Sequence, residues 1–379
     1  MSLTIAFVTE TFPPEVNGVA MTVGRLVSGL RQRGHRVSVI RPRQGAGDAG
    51  GVHELAVPGL PLPGLPLPGY PGLRFGLPAG GRLTRQWRQQ RPDLVHVVTE
   101  GPLGWSAVSV ARRLGIPVTS GFHTNFDRYS VHYGVGWMRP AVAAYLRALH
   151  RRTRATMVPT AALAATLAGE GLTGVRVVGR GVDSALYDPA RRCAGRRAAW
   201  GVVGDGLACL YVGRLAAEKN LALVEKAFAA IQAGQPAAKM IWVGDGPLAG
   251  KLASDHPDHH FAGTRLGEDL AAHYASADLF LFPSLSETYG NVVAEAMASG
   301  LPVAAFRSAA AAELIVDGIN GRLMAPGDEV AFVAGALAMA GDRQALAAQA
   351  AAARQTMLSR DWGAVISTFE TVIGDAMRA

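Results

Sequence analysis

Glu287 and Glu295 are two carboxylates whose positions suit the binding of paired hydroxyl groups. They lie in Pro283–Pro302, directly after an apolar run that is typical of a buried parallel strand. The pattern predicts a loop over residues 284–290 and a helix over residues 291–299. The start of such a helix offers N–H groups and the positive end of the helix dipole, which suit a sugar diphosphate. We assign the hydroxyls of a ribose to Glu295 and those of a hexose to Glu287.

Two cations, Arg214 and Lys219, form a second candidate group. They follow the strand pattern Leu207–Val212 and lie around the turn that begins at Gly213. A guanidinium and an ammonium at this spacing after a strand are well placed to hold a diphosphate. From the residue pattern alone, an ordinary strand, loop and helix with two incidental acids is the competing interpretation of the first group. Surface ion pairing is the competing interpretation of the second.

Two further candidates follow predicted strands in the first half of the chain. The turn-rich loop Thr11–Gly18 comes after the first strand, at the edge where open α/β sheets bind ligands. Gly18 lets the backbone approach a phosphate closely. His123 follows another predicted strand and has polar neighbours, which favours a functional role over a structural one.

The stretch Pro283–Pro302 resembles the paired-glutamate signature of the retaining glycosyltransferases of family 4, which use a nucleotide-sugar donor. The resemblance extends from about Thr4 to the C-terminus and is most specific over residues 211–321. It implies an α/β protein of the GT-B fold, in which two Rossmann-like domains face each other across a cleft. The alternation of predicted strands and helices along the chain favours the same fold class.

The resemblance also implies how the chain is divided. Residues 1–180 are expected to form an N-terminal acceptor-binding Rossmann-like domain, and residues 181–360 a C-terminal nucleotide-sugar-binding one. Residues 361–379 are expected to form a helix that returns to the N-terminal domain.

Family roles are carried over to the matching positions of this sequence. The residues that the resemblance implies in catalysis are His123, Arg214, Lys219 and Glu287. Those that it implies in donor binding are Gly18, Arg214, Lys219, Gly244, Arg265, Thr288, Tyr289, Gly290, Asn291 and Glu295. Asp127 and Tyr129 become candidates on the acceptor side. The first-strand loop departs from the family pattern at Asn17, where a glycine is common.

The chemistry of transfer explains why cations are needed. Breaking the anomeric C–O bond places negative charge on the leaving diphosphate, so preorganised cations and N–H groups are the main catalysis available. No Asp-x-Asp motif or His/Asp cluster offers a metal site, so we expect neither a metal nor a cofactor, with Arg214 and Lys219 as the counter-charge. The resemblance implies retention of the anomeric configuration, by same-face attack in which the leaving phosphate takes the proton of the acceptor.

Charge is distributed unevenly along the chain. Residues 1–180 carry 21 Arg and 8 Asp or Glu, a net charge of +13, whereas residues 181–379 carry a net charge of −5. The basic half predicts an anionic partner. An Arg-rich helix predicted over Pro140–Met157 and an exposed Leu/Pro-rich loop at Val57–Tyr70 favour a lipid acceptor on an anionic membrane. A solvated helix face, a loop packed on its own domain and a composition bias toward arginine are the alternatives.

Other features restrict the cellular context. Cys193 and Cys209 form neither a disulfide framework nor a metal motif. The N-terminal residues lack a signal-peptide pattern, and no apolar run is long enough for a membrane span. We therefore expect a cytoplasmic protein that is peripheral at the inner face of the membrane, with its oligomeric state left open.

The donor is the least constrained expectation. The segment Thr119–Gly134 resembles GDP-mannose-dependent α-mannosyltransferases of the family, which favours GDP-mannose. UDP-glucose, UDP-glucuronate and UDP-sulfoquinovose remain open because residues 211–321 do not distinguish the bases, and a soluble acceptor remains open as well. Outside this class, the alternatives are a nucleotide-sugar epimerase, a phosphorylase or a basic nucleic-acid-binding protein. The last lacks the expected basic motifs with interleaved aromatic residues.

Overall fold

The computed structural model of this protein describes residues 2–15, 17–43, 59–62, 64–67, 70–123 and 139–379. The chain forms two compact units. The first contains the chain up to Arg180 together with Trp362–Ala379, and the second contains Gly181–Asp361. Each unit is built on its own parallel sheet.

In the described part of the first unit, nine strands form two sheets. They are β1 (Thr4–Val8), β2 (Arg36–Pro42), β3 (Gly59–Leu62), β4 (Gly64–Leu67), β5 (Tyr70–Gly76), β6 (Leu94–Val97), β7 (Val118–Gly121), β8 (Ala155–Val158) and β9 (Val175–Val177). The main sheet is parallel and has the order β3-β2-β1-β6-β7-β8-β9, while β4 and β5 form an antiparallel pair. The order reverses between β1 and β6, the position at which open sheets form a ligand-binding crevice.

Alternation of apolar side chains builds a core on each face of this sheet. Ile5 and Phe7 of β1 pack in one core, and Ala6 and Val8 pack in the other. Helices of this unit are α1 (Gly18–Gln32), α2 (Gly80–Gln89), α3 (Pro102–Arg113), α4 (Arg139–His150) and α5 (Ala161–Gly169). Because successive strand residues point to opposite faces, a continuous apolar run requires cover on both sides.

The second unit is a six-stranded parallel sheet covered by helices. Its strands are β10 (Ala208–Val212), β11 (Lys239–Val243), β12 (His260–Gly263), β13 (Leu279–Phe282), β14 (Val303–Phe306) and β15 (Gly321–Met324). Its helices are α6 (Ala194–Ala199), α7 (Leu221–Gly234), α8 (Ala249–Asp255), α9 (Gly267–Ser276), α10 (Asn291–Ala298), α11 (Ala309–Leu314), α12 (Glu329–Gly341) and α13 (Arg343–Leu358). The strand order is β12-β11-β10-β13-β14-β15, so it reverses between β10 and β13.

The last helix, α14 (Trp362–Arg378), belongs to the first unit and packs against α1. Gly29 of α1 lies directly against Ile366, since a Cβ at Gly29 would come within 2.0 Å of the Ile366 Cδ1. Phe369 stacks on Phe7 of β1 with the ring centroids 5.8 Å apart. The small residue in α1 therefore allows the close approach that places α14 in the first core.

The Leu/Pro-rich stretch contains strands, so the loop predicted over Val57–Tyr70 is wrong there. Among the described strands, β3 is at the edge of the main sheet and pairs with β2, while β4 pairs with β5. Proline has no N–H to donate, and an edge strand tolerates it because its outer side needs no partner. Residues 57–58, 63 and 68–69 lie outside the described residues.

The Arg-rich helix is shorter than predicted. The pattern predicts a helix over Pro140–Met157, but the helix ends at His150 and β8 begins at Ala155, so the last two turns of the prediction are wrong. The Thr153 hydroxyl donates to the His150 carbonyl at 2.8 Å, which closes the end of the helix. Pairing of β8 with β7 overrides the local preference for helix in these residues.

Candidate functional site

The candidate site lies at the ends of β10 and β13, where the strand order of the second sheet reverses. The loop after β10 carries Arg214 and Lys219, and the loop after β13 carries Glu287. Parallel strands end at the same edge of a sheet, so residues that are distant in the sequence meet there. The structure brings Lys219 and Glu287 into direct contact.

An ion pair links these two loops. The Lys219 Nζ lies 2.5 Å from the Glu287 Oε1, and the Ser284 hydroxyl donates to the same oxygen at 2.8 Å. The side chains of Lys219 and Glu287 are 12% and 16% exposed. The pair is thus largely shielded from water, which strengthens the attraction, and part of each side chain remains accessible. A diphosphate at this position would compete with Glu287 for the ammonium group.

Arg214 is the more exposed of the two cations. Its Nη1 lies 3.5 Å from the Glu218 Oε1, and the two side chains are 30% and 3% exposed. The Glu218 carbonyl accepts a hydrogen bond from the Ser286 hydroxyl at 3.0 Å, which ties the β10 loop to the β13 loop. Arg214 therefore presents donors at the surface while a buried carboxylate compensates its charge.

Close backbone packing accounts for the glycines beside these cations. Gly213 and Gly244 have φ values of 152° and 134°, which favour glycine. A Cβ at Gly244 would lie 1.9 Å from the Gly213 carbonyl oxygen, and one at Gly246 would lie 2.4 Å from that of Leu215. The Gly244 N–H donates to the Gly263 carbonyl at 2.9 Å. Gly244 therefore shapes the loop, and its N–H is engaged within the protein.

Helix α10 begins without a side-chain cap. Gly290 precedes it with a φ of 90°, and no side chain of that residue can cap the helix. Tyr289 is buried, and its carbonyl accepts from the Ala310 N–H at 2.8 Å, whereas Thr288 is partly exposed. The segment ending at Asn291 thus combines a buried anchor with a helix start of the kind that binds anions.

Glu295 lies in α10 against two tyrosines. The Tyr274 hydroxyl donates to its Oε2 at 2.9 Å, and Tyr187 also hydrogen-bonds to the carboxylate. Burial raises the pKa of Glu295 from 4.5 to about 7, and the two tyrosine hydrogen bonds act in the opposite direction. A carboxylate has about four acceptor positions, so two tyrosine donors leave capacity for the hydroxyls of a ribose.

Arg265 lies apart from these residues in the sheet. It follows β12, the edge strand, which is separated from β10 by β11. The Arg265 Nη1 lies 3.4 Å from the Asp269 Oδ2, and the Arg265 side chain is 44% exposed. Its predicted contact with the donor is therefore independent of the ion pair between Lys219 and Glu287.

The first-unit candidate Gly18 is the exposed first residue of α1. Asn17 caps this helix, because its Oδ1 accepts from the N–H groups of Val19 and Ala20 at 3.1 and 2.8 Å. The departure from the family glycine at this position thus has a structural role. It also means that two N–H groups at the helix start are satisfied within the protein.

His123 follows β7 and contacts Arg180. The Arg180 Nη2 lies 2.6 Å from the His123 Nδ1. Burial and the positive charge of Arg180 hold the pKa of His123 well below its usual value, so the ring is neutral at physiological pH. Asp127 and Tyr129, the predicted acceptor-side residues, lie outside the described residues.

The residues that support the site carry little signal in the sequence. Ser284 lies three positions before Glu287, and that proximity could have identified it. Tyr187 and Tyr274 lie far from Glu295 in the sequence and belong to no motif. Arg180 lies in the segment interpreted only as the start of the linker between the domains.

Two classes of feature are absent from the described residues. No three or more His, Cys, Asp or Glu side chains there are grouped in a way that could hold a metal ion. None of the helices in that part of the chain has both the length and the apolar character needed to cross a bilayer.

Two family models match this chain, and several curated relatives and solved structures resemble it. The model for Glycosyltransferase Family 4 matches residues 16–186, and the model for Glycosyl transferases group 1 matches residues 206–342. A GDP-mannose-dependent alpha-mannosyltransferase of Mycobacterium tuberculosis is 34% identical over 365 residues, which cover 95% of this chain and 93% of that protein. Sulfoquinovosyl transferase SQD2 of Arabidopsis thaliana is 32% identical over 296 residues, covering 75% of this chain and 56% of that protein.

One solved structure that resembles this chain is that of the Anabaena protein HepE in complex with UDP. It matches with a TM-score of 0.80 at 19% identity, and the match covers 98% of this chain and 100% of that one. Together with the two parallel sheets, this likeness confirms the predicted GT-B fold class.

Proposed function

The chain belongs to glycosyltransferase family 4, and we propose that it transfers mannose from GDP-mannose to a lipid acceptor. The choice of GDP-mannose as the donor rests on the 34% identity, over 95% of the chain, to a GDP-mannose-dependent α-mannosyltransferase. The resemblance of Thr119–Gly134 to the same group supports mannose as the sugar. The reaction class, hexosyl transfer from a nucleotide sugar, is that of the family.

In this proposal the second unit binds the donor through its two strand-end loops. Arg214, Lys219 and the start of α10 bind the diphosphate and stabilise the negative charge that grows on it as the anomeric bond breaks. Glu295 accepts hydrogen bonds from the ribose, and Glu287 accepts them from the hexose. The two cations and the helix dipole supply the counter-charge, so the proposed reaction requires no metal.

The ion pair between Lys219 and Glu287 has a role before the donor arrives. Each partner balances the charge of the other at a place that is largely shielded from water. When the diphosphate binds, the Lys219 ammonium exchanges a carboxylate for phosphate oxygens, and Glu287 keeps the Ser284 hydrogen bond. Its other acceptor positions then serve the hexose hydroxyls. Donor binding therefore releases Glu287 for its own function.

For the chemical step we propose retention of the anomeric configuration. The acceptor hydroxyl attacks the anomeric carbon on the face from which the diphosphate leaves. The bond from that carbon to the diphosphate oxygen breaks, and the leaving phosphate takes the proton of the attacking hydroxyl. The positive groups around the diphosphate stabilise its charge throughout this step.

A lipid acceptor requires a surface of the first unit that attracts an anionic membrane, and the arginines after α4 are poor candidates. The Arg152 guanidinium lies over the Trp105 ring at 4.7 Å. The Arg154 Nη1 donates to the Ala376 carbonyl at 2.8 Å. These groups are engaged in contacts within the unit, which reduces their availability to lipid phosphates.

Helix α2 offers a better basic surface. Arg82, Arg85 and Arg88 recur every three residues on it, and all three are exposed, whereas Leu83 and Trp87 are buried in the core. Arginines on the exposed face of an amphipathic helix are attracted to an anionic membrane by about 1 kcal/mol each. We propose that this helix docks the protein at the membrane surface, on the inner face where anionic lipids are exposed to the cytoplasm.

A UDP-sugar is the second candidate donor. The 32% identity to a sulfoquinovosyl transferase favours it, and the proposed contacts to the ribose and diphosphate are the same for purine and pyrimidine nucleotides. A soluble molecule is the second candidate for the acceptor, after a lipid.

A donor panel tests the proposal. The purified protein is incubated without acceptor with GDP-mannose, UDP-glucose, UDP-glucuronate and UDP-sulfoquinovose, and slow release of the nucleotide is measured. Of the four donors, we expect only GDP-mannose to release its nucleotide. In the Lys219→Ala variant this release should be slower by about a hundredfold to a thousandfold. If the protein hydrolyses a UDP-sugar but not GDP-mannose, the proposed donor is wrong, whereas the proposed reaction class still holds.

A further inference from the structure

Arg180 and His123 form a contact whose protonation state follows from its geometry. The Arg180 Nη2 lies 2.6 Å from the His123 Nδ1, and Arg180 is only 9% exposed. A guanidinium has donors and no acceptor, and it stays charged at every physiological pH. The Nδ1 atom must therefore accept the hydrogen bond and carries no proton. A neutral imidazole in this contact has its single proton on Nε2.

Gly121, at the end of β7, also restricts where the His123 ring can lie. A Cβ at Gly121 would lie 2.2 Å from the His123 Nε2, so the ring can occupy this place only because residue 121 has no side chain. Gly121 is the last residue of β7 and pairs with Met157 of β8, which fixes its backbone in the sheet. The ring is thus held by a glycine beneath it and a guanidinium at its Nδ1.

The charged and titratable groups around His123 act in one direction. Burial is the largest influence that lowers the pKa of His123, followed by the positive charge of Arg180. His96, from β6, and His150, from α4, act in the same direction. Among the described groups that influence His123, there is no carboxylate to stabilise an imidazolium.

We propose that Arg180 is a positioning residue that keeps His123 neutral with its proton on Nε2, so that His123 acts as a fixed hydrogen-bond donor. The ring then offers an N–H to an oxygen of the bound sugar nucleotide, and it acts neither as a base through Nδ1 nor as a cation. The protonation state rests on the contact alone, whereas its use in catalysis rests on the proposed function.

Nuclear magnetic resonance of the full chain with ¹⁵N-labelled histidine tests the protonation state directly. Two-bond proton–nitrogen correlations report which ring nitrogen carries the proton, and the His123→Gln variant assigns the signals. In the wild type we expect His123 to be neutral, with the proton on Nε2, from pH 5 to pH 8. A proton on Nδ1, or an imidazolium at pH 6, would overturn the proposal.

Three arginine variants separate the contact from general charge effects. In Arg180→Met we expect His123 to lose the single-tautomer pattern and its pKa to rise toward its usual value. Arg180→Lys keeps a charged donor and should retain the wild-type pattern. Arg176→Met removes one exposed charge from the same unit without touching His123, and it should change nothing.

Gly121→Ala provides a second test that leaves Arg180 in place, and it also serves if Arg180→Met does not fold. The new Cβ must displace the ring, so we expect the same loss of the single tautomer. A wild-type pattern in both Arg180→Met and Gly121→Ala would refute the positioning role.

The transfer assay then connects the contact to catalysis. We expect kcat of Arg180→Met to fall on the acidic side of its pH profile, where the released His123 gains a proton, and kcat of Arg180→Lys to lack this fall. Identical pH profiles of Arg180→Met and wild type would contradict the catalytic use. Failure of the protein to use any sugar nucleotide would refute the proposed function and leave the resonance result standing.

Discussion

Replacement of Glu295 with glutamine should stabilise the ligand-free protein at alkaline pH and weaken its affinity for the donor nucleotide. Burial raises the pKa of Glu295 from 4.5 to about 7, so between these values the native state binds more protons than the unfolded state. The contribution of this carboxyl to stability is therefore fully present below pH 4.5, and it is lost as the pH rises through 7.

The magnitude follows from the difference between the two pKa values. Each unit of difference corresponds to about 1.4 kcal/mol, so ionisation of Glu295 lowers the free energy of unfolding at pH 8 by at most about 3 kcal/mol. Glutamine removes this penalty, but it offers Tyr187 and Tyr274 one carbonyl in place of a carboxylate, a loss of about 1 kcal/mol. We expect Glu295→Gln to be more stable than the wild type by about 2 kcal/mol at pH 8 and no more stable at pH 5.

Urea unfolding of wild type and variant at pH 5 and pH 8, followed by circular dichroism, measures this difference. Glu268→Gln is the matched control, because that side chain lies in the same unit and is 79% exposed, and it should follow the wild type at both values. A stability difference between Glu295→Gln and wild type that is the same at both pH values would refute the reasoning from burial.

Calorimetric titration with GDP tests the other half of the prediction. Hydrogen bonds to a charged group contribute about 1.5–3 kcal/mol, so we expect the Kd of Glu295→Gln at pH 8 to rise about tenfold to a hundredfold. For the same reason, the affinity of the wild type for GDP should fall as the pH drops below 7 and Glu295 gains a proton. Unchanged affinity for GDP in the variant would refute the proposed hydrogen bonds between Glu295 and the ribose.

Three further predictions concern the rest of the proposal. Arg214→Ala and Lys219→Ala should each lower kcat about a hundredfold to a thousandfold, as loss of one preorganised donor does. Near-normal kinetics of Arg214→Ala would refute the proposal that this loop binds the diphosphate. Transfer should continue in EDTA, and loss of activity that Mg²⁺ or Mn²⁺ restores would show that the two cations are not the counter-charge. The protein should co-sediment with anionic vesicles, and this binding should weaken as the salt concentration increases. The triple replacement of Arg82, Arg85 and Arg88 by glutamine should reduce the binding. Co-sedimentation that does not depend on the anionic lipid content would refute the membrane proposal.

The local sequence pattern was sufficient for the elements that build the second sheet. The apolar run before Pro283 forms β13, and the helix predicted over residues 291–299 is confirmed as Asn291–Ala298. Buried parallel strands require continuous apolar runs, and a helix requires a start and a stop, so both leave a signal within a few residues. The same signals carried the resemblance to the family, which the comparisons confirm.

Elements whose state depends on a neighbour were predicted less well. The proline-rich stretch forms β3 because an edge position leaves one side of the strand without a partner. Residues after His150 leave the helix because β8 must pair with β7. In both places the pairing strand lies elsewhere in the chain, so the local pattern did not decide where the loop or the helix ends.

For the site, the sequence alone determined which residue types follow which strands: two cations after β10, two carboxylates in and after the β13 loop, and a histidine after β7. Only the tertiary structure decided which of them touch. Lys219 contacts Glu287 across 68 positions of sequence, and Arg180 contacts His123 across 57. These contacts depend on the order of strands in each sheet and on backbone positions that only glycine allows. The residue types alone do not reveal these two contacts, because the strand order of the whole sheet decides which loops lie side by side.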